Sequence, residues 1–365
     1  MTDVIVVGAG IAGASLAWRL AATRKVLLLE REAQPGYHST GRSAAMFMET
    51  YGPPGVRMLT RASRSFYEQP PGGFTDVPIL APRGTLYIAT HEQAEQMQAL
   101  HAELAQDSAS LVKLAADEAV RRVPCLRRDR VHGALYDPAG EDIDVNALHQ
   151  GFLRGLRQRG GELQCGQAVV AASRDGAGWT VTTERGERFR APLVVNAAGA
   201  WADALAALAG AAAVGLQPRR RSAFTFRPPE GMQVHDWPTV VGVDESYYFK
   251  PDAGLLLGSP ANADPVDPHD VLPEEMDIAM GIHQIESVTT LQIRRPVATW
   301  AGLRSFVEDG ELVIGFDPVM PGFFWLAAQG GYGIQSAAGA SELAAALIDG
   351  QPVDGAMFSP GRFRK

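Results

Sequence analysis

Between residues 3 and 30 the chain spells a strand, a glycine turn, a helix and a second strand, an order that few folds accommodate. Residues 3–7 carry a β-branched run, suited to a strand buried on both faces of a parallel sheet. Gly8-Ala9-Gly10-Ile11-Ala12-Gly13 follows, a G-x-G-x-x-G, and then Leu16, Ala17, Leu20 and Ala21 share one helical face. Residues 25–29 read as the next strand, which ends in Glu30. In such a unit Gly8 permits the tight turn, Gly10 lets the backbone approach a diphosphate, and Gly13 lets helix and strand pack closely. The helix N-terminus offers free N–H groups and a positive dipole end to phosphate. Glu30, about 20 residues on, is placed to accept from ribose hydroxyls. The unit predicts a dinucleotide site in a Rossmann-type α/β domain.

The rest of the composition bounds what surrounds that site. With 365 residues, 46% hydrophobic and 20% charged, the chain has material for two interleaved lobes. A net charge of −8 offers no global field for nucleic acid or an anionic membrane. The pairs Arg121 and Arg122, and Arg127 and Arg128, read as solvated faces among acids. Two cysteines, Cys125 and Cys165, make no disulfide framework and point to a reducing, cytoplasmic setting. No apolar run reaches the roughly 20 residues a membrane span needs, and no basic leader precedes the first strand. The eight histidines fall at no metal-ligand spacing, so no metal is expected.

The dinucleotide lobe is expected to be discontinuous, at 1–50, 145–218 and 300–365, with 51–144 and 219–299 forming a second lobe. Asp144 is a good N-cap for a helix over 145–159 that Gly160-Gly161 ends. Strands around Val169, 180–182 and 188–189 predict a small meander with turns at Asp175-Gly176 and Arg185-Gly186. Alternation over 221–226 and 254–258 predicts a mostly antiparallel sheet flanked by helices at 92–106 and 273–287.

Four further clusters narrow the reading. Arg31 and the loop His38-Ser39-Thr40-Gly41-Arg42-Ser43-Ala44-Ala45 are rich in small and hydroxyl residues that let backbone lie against a ligand. Val194-Val195-Asn196-Ala197-Ala198-Gly199-Ala200-Trp201 is a buried strand stopping at small residues before a helix. Gly302-Leu303-Arg304-Ser305-Phe306 and Gln329-Gly330-Gly331-Tyr332-Gly333-Ile334-Gln335 complete the set, the last opening an Ala-rich helix. Together these motifs resemble the D-amino-acid oxidase superfamily of FAD enzymes, and within it bacterial D-arginine dehydrogenase, from Val4 to about Ile348. The resemblance implies an FAD-binding domain interleaved with a substrate-binding domain. It implies FAD contacts from the fingerprint, from Arg31, from residues 39–45, from Ala197, Gly199, Trp201 and Gly302, and from residues 330–335. It also implies a backbone contact to adenine at Val169, and a last helix whose N-terminus meets the pyrimidine end of the flavin, where reduction leaves negative charge.

The same resemblance implies oxidative deamination of a D-amino acid, with hydride passing from Cα to flavin N5 and the imine then hydrolysing to a keto acid. Arg304 matches the carboxylate-binding arginine, whose fork suits a carboxylate bidentately. Tyr248 matches a hydroxyl donor to that carboxylate, although a one-residue register slip would substitute Tyr247. Arg221 matches a second site-lining arginine, with Arg219 at the same parity. Tyr51 matches a tyrosine on a mobile loop over the site, and Gly331 would offer its carbonyl to the amine. No strong general base is evident, which suits hydride transfer from an already neutral amine. Two positions depart from the arginine-preferring relative: Met46, followed by Phe47 and Met48, stands where it has histidine, and Thr85 where it has glutamate. A pocket without that acid is expected to favour neutral or apolar side chains, unless Glu49 replaces the charge. Oxidation of glycine, sarcosine or another secondary amine is an alternative on the same scaffold, and a non-catalytic electron-transfer subunit is another. The electron acceptor, oxygen, quinone or another carrier, is not written in any motif.

Overall fold

The computed structural model describes residues 2–176 and 178–364. The first sheet has six strands in the order Val313–Phe316, Phe323–Ala327, Leu193–Asn196, Val4–Val7, Val26–Leu29 and Glu162–Gln164. All neighbours are parallel except the first pair, which is antiparallel. Every residue of Val4–Val7 is buried, as a strand covered on both faces requires. The order reverses around this strand, since the chain goes next to Val26–Leu29 on one side and much later to Leu193–Asn196 on the other. A crevice at the carboxyl ends of the strands is the physical consequence of that reversal.

Helices cover one face of this sheet. Ile11–Leu20, Val145–Gln158 and Gly333–Ile348 bury their apolar sides there together with Val4, Val6, Leu28 and Phe324. Asp144 caps Val145–Gln158, accepting from the Ala147 N–H at 2.7 Å, as expected. The alanines of Gly333–Ile348 let the helix Pro54–Glu68 come close, and a Cβ on Gly339 would lie 2.4 Å from the Leu59 carbonyl oxygen. On the other face lies the three-stranded antiparallel meander Val169–Asp175, Gly178–Thr183 and Arg188–Ala191. Trp179 of that meander packs with Phe323 and Trp325.

The second large sheet has nine strands, and its long axis is the pairing of Gln217–Phe226 with Ala298–Phe306 over nine residue pairs. Among the described residues its pairings are antiparallel, except for Thr239–Gly242 beside Thr85–Thr90. Helix Glu275–Val288 covers one face around Phe224, Phe249 and Ile285. Although the dinucleotide lobe was expected to resume at residue 300, Ala298–Phe306 runs throughout in this second sheet, because its ladder partner is Gln217–Phe226. That strand thereby brings Gly302 and Arg304 to the seam between the sheets.

Candidate active site

A cavity of about 460 Å³ begins at Val7 and Ala197, at the carboxyl ends of two parallel strands, and extends to Arg221, Tyr248 and Arg304 of the second sheet. At its first end the glycines are sterically required. Gly8 has φ +104°, and a Cβ there would lie 2.3 Å from the Ala197 carbonyl oxygen. A Cβ on Gly13 would lie 1.8 Å from the Gly8 carbonyl oxygen, so the helix rests directly on the turn. Gly10 is the N-cap of Ile11–Leu20 and has no side chain to occupy the helix end, which leaves the first turn turned to the cavity that Gly10, Ile11 and Ala12 line. Glu30, buried, accepts from the Ala9 N–H at 2.8 Å and the Glu32 N–H at 3.0 Å. A carboxylate has lone pairs to spare beyond those two bonds, and Glu30 lines the cavity with them.

The loop after Glu30 folds over the cavity and is riveted to the second sheet. Ser39 Oγ donates to the Leu303 carbonyl at 2.6 Å, and Thr40 Oγ1 accepts from the Ile11 N–H at 3.0 Å. Arg42 lines the cavity, yet its guanidinium donates to the carbonyls of Val271 at 3.0 Å and Ala301 at 3.1 Å, and pairs with Asp270 at 2.5 Å. Its charge is therefore spent on holding the lobes together. Arg31 lies 4.7 Å over the ring of Trp201, and both line the same end as Val169. Ser43, Ala44, Gly199, Gly302, Gly330, Gly331, Gly333 and Ile334 also line the cavity. Ala9, Gly13, Gly41, Ala45, Tyr332 and Gln335, expected as contacts, do not. Gly41 instead donates its N–H to the Gly36 carbonyl at 2.7 Å, and Gln335 donates to the Tyr51 carbonyl at 3.2 Å. Gln167 and Glu184 line the cavity near Val169 without having been singled out; their closeness to Val169 in sequence and in the meander was the available signal.

At the far end, parity sorts the arginines. Arg219 and Arg221 share one face of Gln217–Phe226, and Arg219 stands opposite Arg304. Arg220 points the other way, to Asp277 at 3.0 Å, Asp264 at 3.5 Å and Glu274. Arg221 and Arg304 line the cavity, whereas Arg219 lies outside it, 5.8 Å over the Phe306 ring. The register puts Tyr248 on the cavity and sends Tyr247 into the core with Val240 and Phe249. Tyr51 does not line the cavity itself, but its hydroxyl is 3.3 Å from Arg304 Nη1 and its ring 5.0 Å from that of Tyr332. Gly331 lies against the guanidinium: a Cβ there would be 2.8 Å from Arg304 Nη1.

Among the described residues neither Arg221 nor Arg304 has a carboxylate partner, and the buried Arg221 Nε has no acceptor. Burial works against the Arg304 charge, but the hydroxyl groups of Tyr51 and Tyr248 outweigh it and hold the guanidinium above its ordinary value. Burial, reinforced by repulsion from Arg304, pushes Arg221 down. Two cations without an ion-pair partner, beside tyrosine hydroxyls, make an anion-binding corner.

Three expected wall residues lie apart from this cavity. Thr85 is fully buried, and a Cβ on Gly140 would lie 2.6 Å from its hydroxyl. Met46 sits on the short strand Met46–Phe47, its sulfur 2.7 Å from the Thr239 hydroxyl. Met48 packs with Tyr87 and Leu135. Glu49 does not supply a free charge, since it is paired with Arg64. Glu311 was not foreseen: its buried carboxylate accepts from the Gly55 N–H at 2.8 Å and the Val56 N–H at 3.1 Å, capping the helix that follows Tyr51.

The family profile described as DAO, FAD dependent oxidoreductase, matches residues 3–347. FAD-dependent oxidoreductase domain-containing protein 1 of Bos taurus is 23% identical over 95% of this chain and 81% of its own length. Glycine oxidase of Geobacillus kaustophilus is 25% identical over 88% of this chain and 86% of its own. The crystal structure of glycine oxidase from that organism superposes with a TM-score of 0.87, covering 99% of this chain and 98% of the other at 24% identity. L-α-glycerophosphate oxidase from Mycoplasma pneumoniae, with FAD bound, has a TM-score of 0.84 at 18% identity over 95% of this chain and 94% of the other. These likenesses to solved structures concern the fold. No helix among the described residues is long and apolar enough to cross a membrane.

Proposed function

We propose, for a chain that belongs to the DAO family of FAD-dependent oxidoreductases, that it oxidises the amine-bearing carbon of a small amino acid. FAD is the cofactor, and when bound it supplies the hydride acceptor. The residues at the cavity's first end suit it: Gly8 and Gly13 let turn, strand and helix close on one another, Gly10 leaves the helix N-terminus open to a diphosphate, and Glu30 keeps acceptor capacity for a ribose.

The observation that carries the proposal is the corner of Arg304, Arg221, Tyr248 and Tyr51, in which neither cation is ion-paired with an acid among the described residues. Arg304 would take the substrate carboxylate bidentately, with the Tyr51 and Tyr248 hydroxyls donating to the same oxygens. The Gly331 carbonyl would accept from the amine and so turn Cα toward the cavity. Holding the substrate at both groups is the chain's main contribution, since orientation alone is worth several kcal/mol. No general base is required if the amine arrives neutral.

The D-enantiomer is part of this reading. So is a preference for neutral or apolar side chains over D-arginine and D-lysine: the acids that line the cavity, Glu30 and Glu184, stand at its first end, and none lines it beside Arg221 and Arg304 to meet a cation. The likeness to glycine oxidase supports a second reading with glycine or a secondary amine as substrate. A steady-state assay with a dye acceptor tests both, using glycine, sarcosine and both enantiomers of leucine, methionine and arginine. Turnover of an amino acid and its decarboxylated amine at equal kcat/KM would overturn the carboxylate corner.

A further inference from the structure

We infer that His149 is a positioning residue for the cofactor diphosphate, acting through the central peptide of the glycine turn. His149 lies on Val145–Gln158, far from the fingerprint in sequence, and is buried. Its Nε2 is 2.9 Å from the Ala9 carbonyl oxygen, and since a carbonyl only accepts, Nε2 carries the proton. The Ala9 N–H is held at 2.8 Å by Glu30. Ala9 is thus gripped at both polar atoms, its N–H by Glu30 and its C=O by His149.

The consequence is directional. Ala9 does not line the cavity, while Gly8 and Gly10 on either side do. A carbonyl pulled back toward His149 keeps its oxygen, a partial negative charge, away from the place a diphosphate would occupy, and because the peptide is trans the Gly10 N–H then points the opposite way, the Ile11 N–H being held by Thr40. Without the imidazole donor the Ala9 carbonyl would be buried and unpaired, and turning toward the cavity would be its relief. The same ring also sets the second loop. Gly36 has φ +75°, and a Cβ there would lie 2.8 Å from His149 Cε1. Its carbonyl accepts from the Gly41 N–H at 2.7 Å, and the neighbouring Thr40 hydroxyl accepts from the Ile11 N–H at 3.0 Å. His149 therefore wedges between the two backbone segments that face the diphosphate region, and touches both. Burial favours the neutral ring that this donor geometry uses.

The proposal rests on FAD binding and not on the identity of the substrate, so it can fail while the amine-oxidation reading stands. The test is titration of apoprotein with FAD and separately with ADP, for wild type and for His149→Phe, His149→Asn and His149→Gln, alongside the melting temperature of each apoprotein. Phenylalanine has no donor, asparagine a donor that falls short, and glutamine one that reaches as far as Nε2. The expected result is a dissociation constant raised tenfold or more for both FAD and ADP in the Phe and Asn variants. In His149→Gln most of the affinity should return, with all four apoproteins melting within a few degrees of each other. Should the Phe variant not fold, the Asn and Gln pair reads the same contrast. Unchanged affinity in the Phe and Asn variants, or an equal loss in His149→Gln, overturns the assignment.

Discussion

The Tyr51 hydroxyl stands 3.3 Å from Nη1 of Arg304, although 253 residues separate them in the chain. The tyrosine reaches that position because its loop is held twice. Gln335, near the start of the last helix, donates to the Tyr51 carbonyl at 3.2 Å, and Glu311 caps the helix that begins at Pro54. The tyrosine that meets Arg304 is therefore placed by two stretches of chain more than 250 residues further on.

Replacing Arg304 by methionine should cost on the order of 3–5 kcal/mol in kcat/KM for an amino acid, as loss of a desolvated charged pair does. Lysine at the same position should recover only part of this, because an ammonium lacks the bidentate fork. Steady-state kinetics with a dye acceptor reads both variants. An Arg304→Met enzyme with wild-type kcat/KM would exclude Arg304 from substrate binding.

Glu311→Gln should leave FAD content unchanged and raise KM, since a neutral amide caps the helix less well and cannot accept both N–H groups as a carboxylate does. Loss of such a cap is worth roughly 0.5–2 kcal/mol of stability, so a fall of roughly one to three degrees in melting temperature should accompany the KM effect. Thermal melts together with KM decide the matter.

Gly13→Ala and Gly10→Val should fail differently. A Cβ at residue 13 would lie 1.8 Å from backbone, whereas at residue 10 the nearest atom is Thr40 Oγ1 at 3.3 Å. Gly13→Ala should destabilise the apoprotein itself by roughly 1–3 kcal/mol or more, the range for overpacking. Gly10→Val should fold but purify without flavin, because its branched side chain extends toward the cavity. Absorbance of the purified variants and apoprotein melts separate the two; full flavin content in Gly10→Val would place the diphosphate elsewhere.

Acid should destabilise the protein partly through His149. Burial lowers its affinity for a proton in the folded state, so the unfolded chain binds more protons once pH falls below about 6.5, the unperturbed histidine value. Stability from this group is present above that pH and is lost as pH falls from there toward the folded value. Melting temperature between pH 8 and pH 5 should drop less steeply in His149→Gln than in wild type. Parallel slopes would mean that the imidazole does not titrate with unfolding.

Turnover should rise with pH as the substrate amine loses its proton, with no falling limb up to about pH 10. Tyr51→Phe should keep that rising limb while lowering kcat/KM, because the hydroxyl accepts from Arg304 Nη1 and braces it. Disappearance of the limb in the variant, with the same substrate, would make Tyr51 the base.

The fingerprint, its strand and helix, and Glu30 were legible in the sequence because each answers a local demand: a turn with positive φ, a contact too close for a Cβ, an acid one strand away. The Asp144-capped helix and the meander were legible for the same reason. Alternation in 219–221 and in 247–248 showed that neighbouring residues face opposite ways, but a period of two is blind to which face is which. Only the packing of helix Glu275–Val288 on one side of the sheet, with its acids awaiting Arg220, turned Arg221 to the cavity; the burial of Tyr247 on that side turned Tyr248 to it. His149 and Glu311 carry no local signal, because each bonds backbone 140 or more residues away. A backbone N–H or carbonyl looks alike at every position of a sequence, so which of them a distant side chain will satisfy is decided by the tertiary fold.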